Sequence, residues 1–98
     1  MPIYNFKSVK PSVKAAHQIV EINDREAGEI WREQVHVVVS KLTEPRRMAL
    51  KWRWFARCIG TTTVFGKGTQ KAMLIGAGYT SKHLAAEQLY AGREAQFN

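Results

Sequence analysis

The segment from Glu44 to Gly60 constrains the fold of this chain more than any other. Pro45 suits the first turn of a helix, and Gly60 the position just past its end. At the helical period Met48, Ala49, Trp52, Phe55, Ala56 and Ile59 fall within one arc, the width of a core-facing stripe. Arg46, Arg47, Lys51, Arg53 and Arg57 occupy the remaining circumference with Leu50, Trp54 and Cys58. The expectation is a helix over 45–59 with a basic outer face. Arg46 and Arg47 would lie near its N-terminus, where the helix dipole disfavours positive charge. Something other than helix stability is then the reason for placing them there.

Elsewhere the same period recurs. Residues 1–11 read as an extended lead, with Ile3, Phe6 and Val9 as a short edge strand that Pro11 ends. Ser12 caps a helix over roughly 13–22, on the spacing of Val13, Ala16 and Ile19/Val20. Asn23 opens a second, to Leu42, with a capping-box spacing to Glu26 and a stripe of Ala27, Ile30, Trp31, Val35, Val38 and Leu42. Val35 to Val39 is β-branched enough to make a buried strand instead, which would turn the fold into α+β. A helix over 69–76, a turn at Gly76-Ala77-Gly78 and a last helix to about Ala91 follow. Thr80 or Ser81 would cap that last helix, and Leu84, Ala85 and Leu89 would point inward. The fold class expected is mainly α: a single-domain bundle of four to five helices over 1–98.

Charge divides the chain. Residues 1–33 hold five basic and five acidic side chains, whereas residues 45–98 hold nine basic against two acidic and carry the whole net +7. No acid lies between Glu44 and Glu87. Such a field attracts polyanions and speeds encounter with them. The basic half, 45–91, is therefore the expected binding region. Within it Trp54 would project from the basic helix face, where it can stack a base while Arg53 and Arg57 hold phosphates, or serve as a protein-interface anchor.

Other chemistries find little support. The single cysteine, Cys58, excludes an internal disulfide and fits a reducing, cytoplasmic setting. No apolar run reaches the ~20 residues that span a bilayer. His17, His36 and His83 are far apart in sequence, and Cys and His show no metal-ligand spacing, so no catalytic residue, metal or cofactor is assigned. The run from Gly60 to Thr69 misses the phosphate-loop spacing, because five residues separate Gly60 from Gly66 and Gly68 follows Lys67. Lys67 is left as a phosphate contact in a basic loop.

The stretch Ala72–Leu84 has helix-turn-helix organisation, in which the second helix enters the major groove. Its Ala77-Gly78-Tyr79-Thr80 turn, with Thr69-Gln70 upstream and Leu84 six residues beyond Gly78, resembles the DNA-binding domain of phage small terminase subunits. The resemblance covers about 20 of the 98 residues. Thr69-Gln70 sits two residues too far upstream of the turn, and Leu74 stands where a small residue is usual. The resemblance implies that Thr80, Ser81, Lys82 and His83 face bases and Lys71 a phosphate. The sequence thus points to a small, non-enzymatic basic protein that binds nucleic acid, DNA ahead of RNA, with an acidic protein surface as the alternative partner and no membrane.

Overall fold

Tyr4 and Phe6, Val20 and Ile22, and Trp54, Ala56 and Cys58 are alternate residues of their segments that share one apolar side, which is the period of a strand. The computed structural model describes residues 2–40, 43, 45, 47–66 and 78–97, without the side chains of Val38 and of residues 93–97. Five strands, β1 (Tyr4–Ser8), β2 (Ala15–Ile22), β3 (Arg25–Val38), β4 (Met48–Cys58) and β5 (Val64–Phe65), form one antiparallel sheet in chain order. One helix among the described residues, α1 (Lys82–Phe97), follows them.

The helix is held on one face of the sheet. Ala85, Ala86 and Leu89 bury themselves against Val20, Ile22, Ile30, Ala56 and Cys58. Gly28 lies at the closest approach: a Cβ there would meet the Arg57 carbonyl oxygen at 2.2 Å and Leu89 Cδ2 at 2.9 Å. The other face has a smaller core of its own. Trp31 and Phe55 stack there with centroids 6.4 Å apart, and Gly66 and Gly78 close over the Phe55 ring. Gly78 needs its left-handed φ of 93° to bring the backbone so near, and its N–H donates to the Gly66 carbonyl at 2.9 Å. Phe55 and Ala56 are consecutive and both fully buried because β4 is covered on both faces.

Two irregularities shape β2 and β3. Ala16 adopts a left-handed φ of 49° where the β2–β3 register shifts between Ala15 and Gln18. A second shift, between Val20 and Glu21, lets Ala27 and Gly28 both be buried. Asn23 and Asp24, at φ 53° and 66°, make the two-residue turn between Ile22 and Arg25.

These observations correct the expected helical bundle. Where helices are expected over 13–22, 24–42 and 45–59, the described residues form strands β2, β3 and β4. Asn23 is a hairpin turn and not a helix cap. The strand expected as the alternative, near 35–39, is only the far end of a strand of 14 residues. The helix expected over 69–76 lies outside the described residues. The last helix is present and capped, Leu84 N–H donating to Ser81 Oγ at 3.2 Å, but it packs on a sheet, and among the described residues no second helix joins it in a helix-turn-helix pair or a bundle. Its inward residues are Ala85, Ala86 and Leu89, while Leu84 is exposed.

Candidate functional site

β2 ends its pairing with β3 at Ala15 opposite Arg32, but β3 and β4 continue together for six more pairs, from Glu33–Arg53 to Val38–Met48. This two-stranded arm projects about 20 Å past the rest of the sheet. On the outer side of β4, β5 pairs only at Ala56 and Arg57, and Tyr79 exchanges both backbone hydrogen bonds with Trp54 at 2.8 Å. Beyond Trp54 no described residue pairs with that edge. Arg53 covers part of it by donating from Nη1 to the Trp52 carbonyl at 3.3 Å.

The charge division of the sequence becomes a division along the strands. Glu21, Asp24 and Glu26 cluster with Arg25 at the β2–β3 turn, where Lys7 pairs with Glu21 at 3.2 Å. At the opposite pole the arm carries Arg47, Lys51 and Arg53 against Glu33, with Arg32 at its base, and Glu33 accepts a hydrogen bond from Trp31 Nε1 at 2.6 Å.

The strand period separates the residues that a helix would have gathered. Lys51, Arg53 and Arg57 alternate with Trp52 and Trp54, so the three cations lie on one face and both indoles on the other, the helix-bearing face. The expected combination of Trp54 with Arg53 and Arg57 on one surface is therefore overturned. Trp54 packs at the margin of the main core. Trp52, expected in the core, is instead 45% exposed, in a row with Leu50 at 54% and Met48 at 50%. Arg32, across from Trp54, holds its guanidinium carbon 5.0 Å from the Trp52 ring and 5.6 Å from the Trp54 ring. Its Nε is buried and has no hydrogen-bond partner. Neither Arg32 nor Trp52 stood out in the sequence: Arg32 falls in the charge-balanced first third, and only strand pairing brings it to the tryptophans.

The other expected contacts are dispersed. Arg47 lies at the arm's tip, its N–H donating to Ser40 Oγ at 3.0 Å. Lys51 is exposed. Thr80 is exposed, and Ser81 caps α1. Lys82 Nζ sits 4.4 Å over the Phe6 ring, and His83 meets the same ring edge-on at 5.8 Å, so both cover β1. Arg46, Lys67 and Lys71 lie outside the described residues.

A second polar cluster occupies the face opposite the helix. Glu29 accepts hydrogen bonds from Lys14 Nζ at 2.8 Å, His17 Nε2 at 2.8 Å and Arg57 Nη2 at 2.6 Å. A carboxylate only accepts, so His17 donates from Nε2, and its Nδ1 lies in hydrogen-bond reach of the Ser12 hydroxyl, 2.7 Å away. The chain Ser12–His17–Glu29 has the connectivity of a nucleophile relay, beside a cavity of about 230 Å³. Its electrostatics oppose that role. Ser12 Oγ already accepts from the Lys14 N–H at 3.2 Å, and Lys14 and Arg57 already neutralise the carboxylate that would balance a charged imidazole. The cluster ties β2 to β3 and β4.

Burial pushes the Glu29 carboxyl up, but the hydrogen bonds from Lys14 and His17 and the charges of Lys14 and Arg57 outweigh it, leaving the group below its usual value. A carboxyl lowered in the folded state stabilises the fold fully above about pH 4.5, and this is lost as pH falls through the folded value. Denaturant midpoints measured from pH 6 down to about pH 3 are expected to fall more steeply for the parent than for Glu29→Gln. Parallel curves would show that the cluster contributes no such linkage.

Cys58 is buried, its Sγ 3.9 Å from the Leu89 carbonyl, and burial raises its thiol above the ordinary value, the reverse of a reactive thiolate. Among the described residues no group of three or more His, Cys, Asp or Glu converges as a metal site requires, and no helix is long and apolar enough to cross a membrane. Comparison with known proteins gives no match to a family model, to a curated protein or to a solved structure.

Proposed function

We propose that this chain is a binding protein, not an enzyme, and that it holds nucleic acid on its β3–β4 arm. The observation that carries the reading is the position of the arm at the basic pole, with Arg32 at its base on one face, Lys51 and Arg53 on the other and Arg47 at the tip. A projecting two-stranded ribbon is an element that enters a groove or lies along a strand, and cations on both of its faces then meet phosphates on either side.

Anisotropy of a labelled oligonucleotide, titrated with salt, tests the reading. Binding at ~50 mM salt is expected to weaken with a log–log slope of several units, each contacted phosphate adding nearly one. Lys51→Ala and Arg53→Ala are each expected to weaken binding several-fold and to lower the slope by about one. A salt-independent affinity, or slopes unchanged in both variants, would exclude the arm as a phosphate-binding element.

A second reading has its own observation. Met48, Leu50 and Trp52 form an exposed apolar row on the helix-bearing face, and Trp, Met and Arg together are the composition of a protein interface. A partner with an acidic rim would suit the cations beside that row. Partners captured from lysate after nuclease treatment, and lost with Leu50→Glu, would favour it.

A further inference from the structure

We infer that the Trp52–Arg32 pair is a stacking site for an unpaired base, which makes the preferred ligand single-stranded nucleic acid. The inference rests on the reading of the arm as a nucleic-acid-binding element and names the form of the ligand.

Two features of this pair are unusual within the domain itself. Trp52 leaves nearly half its surface in water while Trp54, two residues on and on the same face, packs at the core. Arg32 is held against both indoles with its Nε buried and unpartnered, and no described carboxylate bonds its guanidinium. A desolvated donor without an acceptor is costly, and so is a bare indole. The Nε is too deeply covered for a ligand to reach, so a ligand would meet the rest of the guanidinium and the open part of the indole, and one ligand class suits both. A nucleobase offers a flat π-face to Trp52 and acceptor atoms to the guanidinium, and the phosphate that follows it suits the basic pole. Gln34, directly across from Trp52, and His36, across from Leu50, are exposed on the same face and add an amide and an imidazole to the row. A duplex cannot satisfy this arrangement, because its base faces are already stacked on one another and only their edges are open. An acidic peptide supplies the acceptors and lacks the π-face.

The test uses the full chain and three probes at ~50 mM salt: a labelled oligothymidylate of roughly 12 nucleotides, an RNA strand of the same length, and a matched DNA duplex. Single strands are expected to quench tryptophan emission and to bind at least about tenfold tighter than the duplex. Trp52→Ala is expected to cost at least about tenfold on single strands and less than about twofold on the duplex. Trp52→Phe, which keeps a stacking ring, restores most of the affinity, and Arg32→Lys, which loses the planar group, restores little. Because Trp52 is half exposed, the thermal midpoint of Trp52→Ala stays close to the parent's, and Trp52→Phe provides the same comparison should it not. Equal affinity for duplex and single strand, or equal loss on both in Trp52→Ala, overturns the stacking site and leaves the arm reading standing. No binding of any probe overturns both.

Discussion

Placing valine at Gly28 is expected to remove at least about 3 kcal/mol of folding stability, a large share of the roughly 5–15 kcal/mol that holds a domain of this size. The position carries an ordinary strand φ, so conformational freedom is not the reason for glycine. The reason is contact: the first added carbon lies 2.2 Å from the Arg57 carbonyl oxygen, 3.0 Å from Cys58 Cα and 2.9 Å from Leu89 Cδ2. Two of these three neighbours, the nearest among them, are backbone in the strand paired with β3 and cannot turn aside. Denaturant midpoints of Gly28→Ala, Gly28→Val and the double variant Gly28→Ala/Leu89→Ala separate the causes. The double variant is expected to be no more stable than Gly28→Ala alone. If trimming Leu89 restored the parent's stability, the constraint would lie in the helix side chain and not in the β3–β4 backbone.

Phe55→Ala is expected to cost about 3–5 kcal/mol. The ring is fully buried on the face opposite the helix, between Trp31 and the backbone at Gly66 and Gly78. Removing it leaves a cavity that two glycines cannot fill and unstacks Trp31. Trp31 is then expected to report the change as a red-shifted emission. Met48→Ala, on the exposed row of the same strand, is expected to stay within about 0.5 kcal/mol of the parent. A loss of less than about 1 kcal/mol for Phe55→Ala would mean that the second face is not a core.

That second core also explains why the strands were hidden in the sequence. A sheet with one wet face alternates cleanly between apolar and polar residues, and β4 begins so, with Leu50-Lys51-Trp52-Arg53. From Trp54 to Ala56 both faces are covered, the alternation stops, and the apolar residues acquire gaps of three and four that imitate a helical stripe. In β3 the same effect places Ile30 and Trp31 side by side, one in each core. A bulge completes the disguise: the shift at Ala16 moves the phase of β2 by one residue, so Val13, Ala16, Ile19 and Val20 match a helical spacing that none of them follows.

What local rules do govern remained legible. Ser81 caps the last helix, and Ala85 and Leu89 face inward, because a cap and a helical stripe depend only on neighbours a few residues away. The segregation of charge was also plain, since counting requires no fold. The identity of the face was not. Trp54 and Arg53 are adjacent in sequence and lie on opposite sides of the sheet, whereas Arg32 and Trp52 are twenty residues apart in sequence and in contact. Pairing across strands, which no single segment encodes, decides both.

Strand order equal to chain order has a consequence for how the molecule is made. Each strand finds its partner in the segment just before it, so the sheet can zip from β1 to β4 as the chain lengthens, without waiting for a distant crossover. The helix arrives last. Until Ala85, Ala86 and Leu89 emerge, Val20, Ile22 and Ile30 face water. Chains interrupted before Ser81 would thus present a formed but uncovered sheet, and self-association of such fragments would compete with completion of the fold.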